Sequence, residues 1–168
     1  SNGADGCSRV LLSRMPDGTP FQDVTVYFPT ISRDGSTVAF KVLVGPDGVA
    51  PLPEDTDNEI DNIYAIDLSS MELEIASLSN TGEVSSGSCD EPSLSENGRY
   101  ITFASAASNL TEDKVGDWGH HIYLRDRVAE TTELVSLSIE GIPANDRSSD
   151  PIISADGRYV AFSSLADN

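Results

Sequence analysis

Apolar residues in this chain fall in short runs bounded by Gly, Pro, Asn, Asp and Ser, and no window repeats them at helical spacing. That pattern predicts strands and turns. The clearest case is Pro151-Ile152-Ile153-Ser154-Ala155-Asp156-Gly157-Arg158-Tyr159-Val160-Ala161-Phe162, which reads as a strand, an Asp-Gly turn and a second strand. The same pattern runs from Pro92 through Asn97-Gly98 to Phe103, and from Pro29 through Asp34-Gly35 to Phe40. In each copy a Ser stands three residues after the Pro, and an aromatic closes the apolar run five residues after the Gly. Asn-Gly and Asp-Gly tolerate positive φ and suit the turn between antiparallel strands. Val160 and Phe162 alternate with Tyr159 and Ala161, and neither set is charged. Sheets covered on both faces are therefore expected.

Two further segment types recur between these copies. Asn62-Ile63-Tyr64-Ala65-Ile66-Asp67 matches His121-Ile122-Tyr123-Leu124-Arg125-Asp126, each a strand closed by a turn-forming Asp. The stretches Val10–Gly18, Glu74–Gly82 and Glu133–Gly141 each read as a short strand ending in a turn Gly, 10 or 11 residues before a repeat Pro. The unit so defined has four strands and a period of 63 residues from Pro29 to Pro92, then 59 from Pro92 to Pro151. The longer spacing lies in the loop between Phe40 and Ile63. A four-stranded unit recurring at this length predicts an all-β fold of propeller blades.

The segments Ile153–Phe162 and Ile122–Asp126 resemble the TolB-type propeller repeat, a relative in shape of the WD-repeat blade, and the likeness runs over about residues 10 to 168. The resemblance implies a β-propeller whose members mostly bind other proteins, often in the periplasm or outside the cell, and some of which gate a peptidase. Residues 24–88 and 89–147 are expected to form two whole blades. Residues 148–168 supply the first half of a further blade, and residues 1–23 the last strand of an incomplete one. A closed propeller typically needs about four to eight blades. The expectation is thus either an excerpt of a longer chain or a homo-oligomer, because bare blade faces and edges invite pairing.

Length suits one domain with room for a core. Ten Lys plus Arg against 28 Asp plus Glu, a formal net charge of −18, argue against nucleic acid and anionic lipid as partners. No apolar stretch approaches the ~18 residues of a membrane span. The acid excess fits a secreted, extracellular or periplasmic protein, and the small polar residues of Ser1–Gly6 fit either a mature terminus after signal cleavage or a tag remnant. Cys7 and Cys89 match no zinc or redox spacing, and pairing within the chain, between chains or not at all stays open.

Asp55-Thr56-Asp57-Asn58-Glu59-Ile60-Asp61 places oxygen side chains at every second position, as in loops that wrap Ca2+. Asp55, Asp57, Glu59 and Asp61 are the candidate ligands, with Asp113 and Asp117 in the corresponding loop of the next unit. An EF-type loop would carry Gly where Ile60 stands. His120 and His121 follow Trp118, but adjacent strand residues face opposite ways and do not readily share one ion. The chain has many Ser but no Gly-x-Ser-x-Gly elbow. Asp34 and Asp156, with Asn97 between them, recur once per unit, as a turn requires. The expected function is a non-enzymatic protein-binding or assembly module that self-associates through open blade faces and edge strands, stiffened by calcium. Its rivals are the propeller portion of a larger secreted peptidase or glycan-degrading enzyme, and the structural subunit of an extracellular filament.

Overall fold

The repeated Ser-x-Asx-Gly step folds identically three times because its side chains bond its own backbone. Gly35, Gly98 and Gly157 adopt φ of 73°, 67° and 73°. Their amides donate to the carbonyls of Ser32, Ser95 and Ser154 at 2.9, 3.1 and 2.9 Å. The side-chain oxygens of Asp34, Asn97 and Asp156 accept the amide two residues on, at 2.9, 3.1 and 3.1 Å. Each Ser hydroxyl accepts the amide five residues on, from Thr37, Tyr100 and Tyr159, at 2.9 to 3.0 Å. Such local bonds fix the turn that joins the first two strands of each sheet.

The structure, a computed structural model, describes residues 12–15, 17–56, 60–113, 115–116 and 119–168. Those residues form no helix. The strands are β1 (Val24–Ile31), β2 (Thr37–Val44), β3 (Asn62–Asp67) and β4 (Leu73–Ile75), then β5 (Cys89–Leu94), β6 (Tyr100–Ser105), β7 (His121–Asp126) and β8 (Thr131–Leu134), then β9 (Ser148–Ile153) and β10 (Val160–Ser164). They pair in chain order as antiparallel sheets of four, four and two strands. The fold is all-β.

Two local features differ from the sequence expectation. The Leu-Ser stretches are not strands along their length. Pairing stops at Ile75 and Leu134, and the chain doubles back as a hairpin held by the bridges Leu78↔Val84 and Leu137↔Pro143. The cause is local: the amides of Ala76 and Ser77 both turn to the Ile63 carbonyl, which breaks the ladder. Residues 12–15 and 17–20 make the same hairpin through Arg14↔Pro20, while Val10 and Leu11 lie outside the described residues. The second feature is a bulge in the first strand of each sheet. There Phe28, Glu91 and Asp150, each just before the repeat Pro, hold φ of 49°, 57° and 56°, and the register shifts.

The sheets stack face to face by one repeated relation. β5 packs across β1, β2 and β3, and β9 packs across β5, β6 and β7. The amide of Cys89 donates to the Asp61 carbonyl at 2.7 Å, and its counterpart Ser148 donates to the His120 carbonyl at 2.8 Å. Between the first two sheets lies a core built on Ala39, Ile63, Ile101, Phe103, Tyr123 and Leu134. Phe103 stacks on Tyr123 at 5.9 Å, as Phe40 stacks on Tyr64 at 6.4 Å in the first sheet. Each such buried side chain contributes roughly 1.5–3 kcal/mol.

Candidate functional site

The seam between sheets is where this fold concentrates specific contacts. Each seam uses the leading side of one unit, its first strand and Asx-Gly turn, against the trailing side of the unit before it. At the first seam Gly98 sits so close to Thr37 that a Cβ would lie 2.3 Å from the Thr37 hydroxyl. At the second, Gly157 sits so close to Tyr100 that a Cβ would lie 2.5 Å from the ring. Turn backbones also bond across: Asp34 N to Glu96 O at 3.0 Å, and Glu96 N to Ala155 O at 2.8 Å. Ile153 N donates to the Ser93 hydroxyl at 3.2 Å, and Asp150 N donates to the Glu91 carboxylate at 2.7 Å.

The seam residues at the two outer sheets are uncovered. On the leading side, Ile153 is 5% exposed and Leu94 packs on the core, but their counterpart Ile31 is 59% exposed. Pro92 and Pro151 are buried, whereas Pro29 is exposed. Gly35 has nothing within 4 Å of its Cβ position. On the trailing side, Thr37 is buried and Tyr100 half-buried, but Tyr159 is 64% exposed. Ala39 and Thr102 are buried, whereas Ala161 is exposed. Arg158 lies over the Tyr159 ring at 5.3 Å, as Arg99 lies over Tyr100 at 4.9 Å, so the trailing tyrosine is held in the seam posture.

The candidate calcium residues have separate surroundings. Asp55 is buried; Tyr64 Oη donates to one of its oxygens at 2.6 Å and Asn62 Nδ2 to the other at 3.0 Å. Asn62 in turn accepts from the Ser77 hydroxyl at 2.8 Å. This network ties the long loop to β3. Burial and the Asp55 carboxylate drive the Tyr64 phenol well above its ordinary pKa. Asp61 pairs instead with Lys41 at 2.6 Å, and Lys41 also reaches Asp90 of the next sheet at 2.6 Å. Burial opposes the Lys41 charge, but its bonds to Asp61 and Asp90 outweigh that and raise its pKa. Asp113 is exposed, and Asp57, Glu59 and Asp117 lie outside the described residues. Among the described residues no three His, Cys, Asp or Glu side chains converge as a metal-holding group.

The other sequence candidates resolve simply. Cys89 is buried in the first seam with no disulfide partner among the described residues, its thiol pushed up to about 11 by burial, and Cys7 lies outside the described residues. His120 Nδ1 lies 3.9 Å from the Asp90 carboxylate, while His121 is buried with neither ring nitrogen hydrogen-bonded among the described residues. Asp34 and Asp156 are held below the ordinary carboxylate range by bonds within their own turns, from the Ser36 amide and the Ser154 hydroxyl respectively.

Two concave surfaces follow the seams. A cleft of about 540 Å3 opens between the first two sheets, edged by Leu73, Glu74, Asn80, Arg125, Arg127 and Glu130. Its polar groups bind each other. Asn80 exchanges two bonds with the Thr132 backbone at 2.6 and 3.0 Å, Arg125 donates to the Glu130 carbonyl at 2.8 Å, and Arg127 pairs with Glu74. A shallower groove of about 360 Å3 crosses all three Phe28-Pro29, Glu91-Pro92 and Asp150-Pro151 bulges. Sequence reasoning missed Arg127, Asn80 and the bulges, since nothing in a lone Arg or an X-Pro step marks a cross-sheet partner or a positive φ. The close approach at Gly98 and Gly157 was equally hidden behind their turn role. No protein-family profile matches the chain, and no curated protein matches it.

Proposed function

We propose that the sheets are successive blades of a β-propeller-type repeat and that the protein is a non-enzymatic binding and assembly module, working outside the cytoplasm through its two open sheet faces. One observation carries this reading: seam residues that are buried at both internal junctions are bare at both ends. Soluble proteins rarely leave such apolar surface without a partner. The exposed edge of β10, with no strand beside it among the described residues, adds open backbone beside the trailing face. The acid excess disfavours phosphate backbones as partners and so favours a protein surface. Calcium held by the 55–61 loop belongs to the same proposal and rests on the sequence pattern.

Sedimentation velocity over a concentration series tests the assembly reading. Species larger than the 17.9 kDa chain are expected to grow with concentration. A compact monomer at every concentration, with no binding of a hydrophobic dye, would sink it.

A further inference from the structure

The bare leading and trailing faces are the two halves of one seam, which the chain builds internally twice. Whatever covers the trailing face must bring a tight turn with no side chain at its apex, because Gly98 and Gly157 meet Thr37 and Tyr100 at distances a Cβ could not occupy. It must also bring an apolar residue matching Leu94 or Ile153, and a backbone carbonyl to match Glu96 or Ala155. The turn Ser32-Arg33-Asp34-Gly35, with exposed Ile31 before it, meets all three needs: its Asp34 amide serves the first internal seam, while Gly35 stays open on its Cβ side.

We propose that the trailing face of one copy is covered by the leading face of a second copy, head to tail, in the geometry of the internal seams. Gly35 of one copy seats on Tyr159 of the other, Ile31 enters the trailing-face slot equivalent to the one Ile153 fills internally, and the amide of Ala155 or Asp156 donates to the Arg33 carbonyl. The interface is heterologous, so each copy keeps one free face, and growth continues to a ring or filament. This inference rests on the assembly reading above and adds its partner and its contact.

Variants that block one face at a time test it. Gly35→Asn suits the left-handed turn, and its Cβ would meet nothing within 4 Å among the described residues, so the fold should melt as wild type. Its side chain would occupy the seat of Tyr159, and the dissociation constant should rise at least about tenfold. Ile31→Asp spoils the leading face and Tyr159→Asp the trailing face, both at exposed positions. Each variant alone should stay monomeric. Their equimolar mixture should form dimers and nothing larger, because each retains the face the other lost. If wild type associates while all three variants associate like it, head-to-tail docking is wrong and the assembly reading stands. If wild type itself never associates, both fall.

Discussion

At the residue scale, three glycines with the same φ do different work. Gly35 needs only the left-handed turn, whereas Gly98 and Gly157 also need the absence of a Cβ. Gly35→Ala should cost about 1–2 kcal/mol of backbone strain. Gly98→Ala should cost at least about 1 kcal/mol more, because Thr37 must shift. Urea denaturation of the two variants measures the difference; equal losses would mean that the seam tolerates a methyl group. His121 offers a second test. Burial holds its pKa below the ordinary 6.5, so the unfolded chain takes up the proton first. Stability is therefore greatest above that value and falls as pH drops below about 6.5 until His121 protonates in the folded protein. His121→Asn, which restores the residue found at the equivalent Asn62, should flatten the melting temperature across that window. A slope unchanged by the substitution would assign the pH dependence to another group. Sequence spacing showed both histidines and all three glycines, but not which were enclosed.

At the scale of elements, the repeated hairpins share one local build while their loops differ. The long loop before β3 is anchored by Asp55 to Tyr64 and Asn62, and the loop before β7 is held by Tyr123 Oη donating to the Ala107 carbonyl at 3.1 Å. Hydrogen bonds to a charged group are stronger than neutral ones. Tyr64→Phe should therefore cost about 1.5–3 kcal/mol and Tyr123→Phe about 1 kcal/mol. Thermal unfolding of the pair checks the order, and a reversed order would mean that Asp55 does not anchor the loop. The calcium proposal belongs to this element. Chelation should lower the melting temperature, since an ion specific to the native state stabilises by mass action, and Asp57→Ala should abolish the response. A response that survives the substitution would place the ion elsewhere. The alternation of acids from Asp55 to Asp61 was plain in the sequence. That Asp55 turns inward to β3 and Asp61 across to Lys41 depended on residues brought together only by folding.

For the whole molecule, association must overcome a net charge of −18 on every copy. Exposed like charges are screened as salt rises, while apolar seam contacts are not. Self-association should thus strengthen between about 0.01 and 0.5 M NaCl, as the Debye length contracts from about 30 Å to well under 10 Å. Light scattering across that range reads it, and weakening with salt would point to an interface held by ion pairs. The chain by itself determined the repeat: Pro, Ser, Asx-Gly and the apolar alternation act over a few residues, so turn type, strand pairing and the number of sheets follow from local chemistry. Only the tertiary structure decided which of those equivalent residues are covered. Burial of Ile153 and exposure of Ile31 come from the presence or absence of a neighbouring sheet, and residues of one type at one repeat position carry no local mark of that neighbour.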